Sequence, residues 1–217
     1  MYKKDAAPIA WPLFGYFFFF IAVVGIVMPY LSVYYKSIGF SGSQIGRLMA
    51  TFTLASIFMP HFWGWLTTKT GKPKRTVQIA AVGCFLGFIP FLWVTDFYWL
   101  WGLTIFVAMF YAAMTPMGDA LAVRSIKHLD VPYSRIRVGG SIGYIVSVTL
   151  VGSLIGWFSE SVIIPSVVIC LGLTLLTTLK LKEQSFEPPA RDGSGRFMTL
   201  LSERRSYCLL VSRFCLI

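Results

Sequence analysis

Apolar residues gather into six long runs along this chain: Leu13–Tyr34, Ile45–Leu66, Val77–Val94, Tyr98–Leu121, Val138–Phe158 and Val162–Leu179. Each run holds 18 to 24 residues. At about 1.5 Å of rise per helical residue, they reach roughly 27–36 Å, enough to cross a hydrocarbon core of about 30 Å. The pattern predicts an all-α membrane protein with six transmembrane helices in one bundle over residues 1–182. The first run follows Lys3 and Lys4, as a signal peptide would. It is too long for a signal h-region and no A-x-A cleavage site follows, so it reads as a retained span. Residues 183–206 turn polar, with Pro188, Pro189, Gly193 and Gly195, and read as a cytoplasmic linker. Residues 207–217 turn apolar again and read as the truncated start of a seventh helix.

Composition sharpens the membrane reading. Hydrophobic residues make up 56% of the chain and charged residues 13%, about half the charge of a soluble globular domain. The net charge of +10 is of the kind that nucleic-acid binders carry, but no basic stripe lies on an otherwise soluble segment. No nucleic-acid partner is expected; the lipid bilayer is. The charge instead follows the loops. Sixteen Lys and Arg residues fall at the N-terminus, after the second and fourth runs, and after the sixth, against Lys36 and Arg47 on the other side. That bias places the N-terminus in the cytoplasm. Cys84, Cys170, Cys208 and Cys215 form no C-x-x-C pair, so neither a metal site nor a disulfide framework is indicated, and no cofactor is expected.

Of nine acidic residues, Asp119 alone lies within a run. A carboxylate at that depth costs about 2.5–3.5 kcal/mol on insertion scales, so a partner or a water-filled cavity is expected. The nearby Pro116 leaves the carbonyl of Ala112 without its usual helical donor; Pro29, Pro60, Pro90 and Pro165 punctuate other runs. Arg137 is the candidate partner. The fourth and fifth runs read as an antiparallel hairpin turning near His128, with Asp119 and Arg137 equally far from the turn, so a guanidinium can grip the carboxylate bidentately. The competing reading ends the fourth helix at Asp119, near the headgroups, and makes Arg137 one more cytoplasmic cation.

These residues carry a resemblance. Asp119, with Arg137 in Tyr133-Ser-Arg135-Ile-Arg137-Val-Gly-Gly140-Ser-Ile-Gly143-Tyr144, is similar to the fourth-to-fifth helix segment of the lactose permease-like and 3-phenylpropionate transporter-like group of the major facilitator superfamily. The resemblance implies a substrate site made by Asp119 and Arg137, with Tyr144 stacking on the solute and Ser141 at its rim. A second stretch, Gly64-Trp-Leu66-Thr-Thr68-Lys69-Thr-Gly71-Lys72-Pro-Lys74, resembles that superfamily's conformational loop motif between helices two and three, with Thr68 where the motif carries an acid. The family fold would make this bundle the N-terminal half of a twelve-span transporter, with a missing C-terminal six-helix half as its partner. It implies proton symport of a small organic solute, an aromatic carboxylate or a sugar, across a bacterial-type inner membrane. The proton-carrying acids would lie in the absent half, so this half alone is expected to be inactive. Solute binding near the midplane and rocking of the halves would give alternating access.

Two other classes compete. Gly139-Gly-Ser141-Ile-Gly143 matches G-x-S-x-G, the nucleophile-elbow pattern, and raises an intramembrane serine protease. The only histidines, His61 and His128, both precede Ser141, and the pattern falls in a helical run; Gly139 and Gly143, four apart, suit close helix packing instead. A passive channel or assembly subunit lacks TVGYG-type filter repeats. The protein is therefore not expected to be an enzyme. His61 reads as a packed or interfacial residue, and Phe17–Phe20 as lipid-facing or interfacial aromatics.

Overall fold

A computed structural model of the chain describes residues 7–126 and 132–181, all within the unit Met1–Gln184. The expected linker, the expected seventh-helix start and His128 lie outside the described residues. The helices are α1 (Ala7–Ser37), α2 (Gly42–Thr70), α3 (Pro73–Phe88), α4 (Phe97–Ile126), α5 (Tyr133–Trp157) and α6 (Ile163–Leu179), and no strand occurs among the described residues. A 3-10 turn at Ile89–Leu92 extends α3 past Pro90, and another at Glu160–Val162 leads into α6. Ser41 caps α2 through a capping box with Gln44, and Asp96 accepts from the backbone N–H groups of Tyr98 and Trp99 at the start of α4.

Five helices are long and apolar enough to cross a membrane. The exception is α2, which has 29 residues but carries Arg47, His61 and several Ser and Thr among its apolar positions. Its apolar residues are not spread evenly. Leu54, Phe58, Phe62 and Trp65 recur at helical spacing and are all exposed, a stripe suited to lipid, while Thr53, Ser56 and Pro60 lie on the opposite side.

Short connections force consecutive helices to alternate direction. The packing has an internal symmetry. Helix α1 packs on α5 and α6, α4 packs on α2 and α3, and α3 packs on α6. Exchanging α1–α3 for α4–α6 maps this pattern onto itself, with α1 and α4 running in opposite directions. That is the signature of two three-helix repeats of inverted topology.

Helix α1 is the hub. Leu13, Tyr16, Phe17, Phe20, Val23 and Val27 are buried at the 3–4 residue spacing of a helix face. The expectation of lipid-facing aromatics is thus overturned at two of four positions: Phe17 and Phe20 are 0% exposed. A helix surrounded by α4, α5 and α6 has little lipid face to offer. Polar tips on aromatic side chains staple the hub to its neighbours. Tyr16 donates to Met114 O at 2.8 Å, Tyr30 to Val148 O at 2.9 Å and Tyr34 to Phe91 O at 2.8 Å. Trp63 Nε1 ties α2 to Met109 O of α4 at 2.8 Å. In a medium without water these bonds satisfy hydroxyl and indole groups that would otherwise be left unpaired.

Glycines set how closely α1 and α5 approach. A Cβ on Gly143 would collide with the backbone carbonyl of Phe18, and one on Gly139 would lie 2.8 Å from the Phe14 ring. The G-x-S-x-G stretch is therefore a helix–helix contact surface within α5 rather than a strand–helix turn. Its Ser141 is exposed on α5, and His61 sits on α2 with Nδ1 3.0 Å from Ile57 O.

Candidate functional site

Helix α5 begins at Tyr133, five residues before the apolar run that announced it, because its first turn is polar (Ser134, Arg135) and hydropathy does not register helicity. Arg137 consequently lies inside the helix rather than at its edge. Helix α4 likewise runs on to Ile126, so Asp119 is an interior residue and does not end the helix. Asp119 lies about 11 Å from the middle of α4 and Arg137 about 12 Å from the middle of α5, both toward the α4–α5 connection, at 1.5 Å per residue. Asp119 is seven residues from the end of α4, and Arg137 four residues from the start of α5.

The contacts of the two residues differ from the expectation of a direct grip. No Asp119–Arg137 ion pair occurs among the contacts of the described residues. Helices α4 and α5 touch only lightly: α5 packs chiefly against α1, and α4 against α2 and α3. Tyr133 donates its hydroxyl proton to Asp119 Oδ1 at 2.7 Å. The Arg137 guanidinium carbon lies 5.2 Å from the centre of the Phe17 ring. Phe17 also meets Tyr133 edge-on, with ring centroids 6.4 Å apart. The carboxylate and the cation are thus held as neighbours by one phenol and one phenyl ring. Both charged groups are half-buried.

Tyr133 is the residue that sequence reasoning missed. The signal was available: Tyr133 and Arg137 are four apart and share one face of α5. The same face carries Ser141 and Tyr144, both exposed, at the following turns. Tyr144 stands beside Gly25 of α1, where an added Cβ would lie 3.2 Å from its ring. Gly118, one residue before Asp119, lies against Tyr16, whose ring a Cβ would meet at 2.5 Å. The four expected solute residues therefore fall on two helices that flank α1. A cavity of about 540 Å³ opens one turn from Asp119, beside Thr115 and Pro116, and none of those four residues lines it.

The loop stretch forms the end of α2 and the turn into α3. Gly71 adopts φ +66°, caps α2, and donates its N–H to Thr67 O. Pro73 then opens α3, an arrangement in which glycine ends one helix and proline begins the next. Thr68 donates to Gly64 O at 2.9 Å, and Lys69 Nζ lies 4.9 Å over the Trp65 ring. Lys72 is exposed, Lys74 is half-buried, and Gly64 has open space where a Cβ would be.

Among the described residues no cluster of His, Cys, Asp and Glu could hold a metal ion. Cys84 is buried in α3 and Cys170 half-buried in α6, both as free thiols.

The sequence matches the MFS_1 like family over residues 10–216. It is 28% identical over 212 residues to a maltose permease of Geobacillus stearothermophilus, a match covering 94% of this chain and 52% of the permease. It is also 28% identical over 162 residues to a probable 3-phenylpropionic acid transporter of Escherichia coli (strain K12), covering 71% of this chain and 40% of that protein. Among solved structures, the nucleoside transporter NupG superposes with a TM-score of 0.76 at 19% identity, over 93% of this chain and 53% of NupG. That likeness concerns the fold alone. The chain spans about half the length of these relatives.

Proposed function

The chain belongs to the MFS_1 like family over residues 10–216, and from that premise we propose that its bundle is one half of a secondary transporter for a small organic solute. The observation that carries this reading is the cluster of Asp119, Tyr133 and Arg137 inside apolar helices. Ionisable side chains at membrane depth are rare and mark solute or ion pathways. Here each charge has a partner weak enough to exchange. A phenol O–H on Asp119 is replaceable by a solute O–H or N–H. A guanidinium beside a phenyl ring keeps N–H donors for a solute carboxylate.

In this reading Asp119 accepts hydrogen bonds from the solute, and Arg137 binds an acidic group if the solute has one. Tyr144 stacks on its ring or sugar face, and Ser141 lines the rim. An aromatic carboxylate and a sugar both suit this set, in keeping with the names of the two curated relatives. Protons drive the transport. The bundle sits in an inner membrane with its N-terminus cytoplasmic, as its loop charge favours. This bundle and its partner half rock about the site to give alternating access, and the turn with Gly64, Thr68, Lys69, Gly71, Lys72 and Lys74 adjusts as they do. A second bundle, of the kind the relatives' remaining length would hold, closes the pathway.

The reading is tested with vesicles that hold only this chain. Radiolabelled 3-phenylpropionate and maltose are expected to show no saturable, gradient-driven uptake. Such uptake would show that one bundle suffices and that the proposed partner half is not needed.

A further inference from the structure

We propose that Tyr133 is a specificity-determining residue of the solute site: its hydroxyl takes the place on Asp119 that a solute hydroxyl would use, and so tilts the site toward acids bound at Arg137. This rests on the transporter reading of Asp119 and Arg137 and adds to it the solute class that the site favours.

Tyr133 opens α5, and its hydroxyl donates to Asp119 Oδ1 at 2.7 Å, the length of a charge-assisted bond. No other side chain is recorded as a donor to Asp119 among the described residues. The carboxylate is held in place from behind. Gly118 lies against the Tyr16 ring, and the Tyr16 hydroxyl is tied to Met114 O at 2.8 Å. The phenol is freer to yield. Tyr133 is half-buried, it stands in the first turn of its helix, and Pro132 before it is exposed. A displaced hydroxyl therefore has water and headgroups within reach, while its ring keeps an edge on Phe17.

Arg137 is held differently. Its guanidinium carbon lies 5.2 Å from the centre of the Phe17 ring. Its Nη1 lies 3.5 Å from the point where a Cβ on Gly140 would sit, so the group leans along α5 toward Gly140. A ring contact uses none of the N–H donors, and no acceptor is recorded for Arg137 among the described residues. A solute carboxylate at Arg137 therefore gains its charge-assisted bonds in full. A solute hydroxyl at Oδ1 gains only the difference between its own bond and the one Tyr133 already makes. At Oδ2 it would share one negative charge with Tyr133, and both bonds would weaken. In either arrangement Tyr133 lowers what a solute hydroxyl adds to binding, and leaves the carboxylate's share untouched.

Two probes that differ by a single hydroxyl isolate the effect: 3-phenylpropionate and its α-hydroxy derivative, 3-phenyllactate. Binding of each to the full chain in lipid nanodiscs is measured by isothermal titration calorimetry, with protein-free nanodiscs as the blank. The quantity read is the ratio of the two dissociation constants, which a general loosening of the fold would leave unmoved. Tyr133→Phe keeps the ring on Phe17 and removes the competing hydroxyl. It is expected to raise the advantage of 3-phenyllactate over 3-phenylpropionate by about tenfold, the size of one hydrogen bond, and to change 3-phenylpropionate affinity by less than about twofold. Adding Asp119→Asn, which keeps an acceptor oxygen but no charge, is expected to bring the ratio back toward its native value. An unchanged ratio in Tyr133→Phe, or a raised ratio that persists with Asp119→Asn, would overturn the proposal and leave the site reading standing. The site reading is judged by Arg137→Ala, which is expected to abolish binding of both probes; undiminished binding there would overturn that reading whatever the ratio in Tyr133→Phe. Absence of binding of both probes to the native chain would overturn the two together.

Discussion

Tyr133 donates a 2.7 Å hydrogen bond to Asp119, and this bond joins two helices that otherwise scarcely touch. It gives the one acidic side chain in the interior of a described α-helix a neutral partner. A charged partner stands close by, on the same face of α5, but is turned to Phe17. The carboxylate rests on a phenol and the guanidinium on a phenyl ring.

Replacing Tyr133 by Phe keeps the ring against Phe17 and removes only the hydroxyl. Asp119 then loses its recorded hydrogen bond at a half-buried position, a change that costs about 1–3 kcal/mol. Asp119 should react faster with a hydrophobic carbodiimide in the Tyr133→Phe variant, as read by mass spectrometry of the modified peptide. An unchanged rate would show that the hydroxyl does not control the carboxylate.

The contact of α5 with α1 makes a second prediction. Any side chain at position 143 meets the Phe18 main chain, which cannot rotate away as a side chain would. Gly143→Val should force the helices apart and lower the midpoint of thermal unfolding in detergent by several degrees, in line with about 1–3 kcal/mol for overpacking. Gly102→Val, where a Cβ meets nothing within 4 Å, is the control and should change little.

Much of this arrangement was legible beforehand, for physical reasons. Apolar runs long enough to span, loop cations and the isolated Asp119 are properties of single residues and their spacing. The six helices, the interior position of Asp119 in α4, and the close contact at Gly139 and Gly143 all follow from them. The contacts between helices did not. Adjacency in sequence suggested that α4 and α5 pair directly, yet α5 packs chiefly on α1 and α4 on α2 and α3. Hydropathy also could not tell a buried phenylalanine from one facing lipid, so Phe17 and Phe20 were placed on the wrong side. The partner of Asp119 stayed hidden because a tyrosine at the start of a helix looks like any interfacial aromatic.

The turn between α2 and α3 provides a third prediction. Gly71 holds a left-handed conformation with φ +66°, which costs a residue with a Cβ roughly 1–2 kcal/mol. Gly71→Val should fray the end of α2 and increase protease cleavage at the turn. Gly64→Ala, which fills open space within a helix, should leave cleavage unchanged or slow it.

The central claim is that Asp119 and Arg137 together bind the solute. The most direct measurement is equilibrium binding of 3-phenylpropionate and maltose to the bundle completed by a second half, comparing the native pair with Asp119→Ala and Arg137→Ala. Insertion is verified in each variant by protease protection of the loops. The account predicts that either substitution abolishes binding of the solute that the native protein takes, with insertion intact. Near-native affinity in either variant would contradict it and leave the pair a structural element of the bundle.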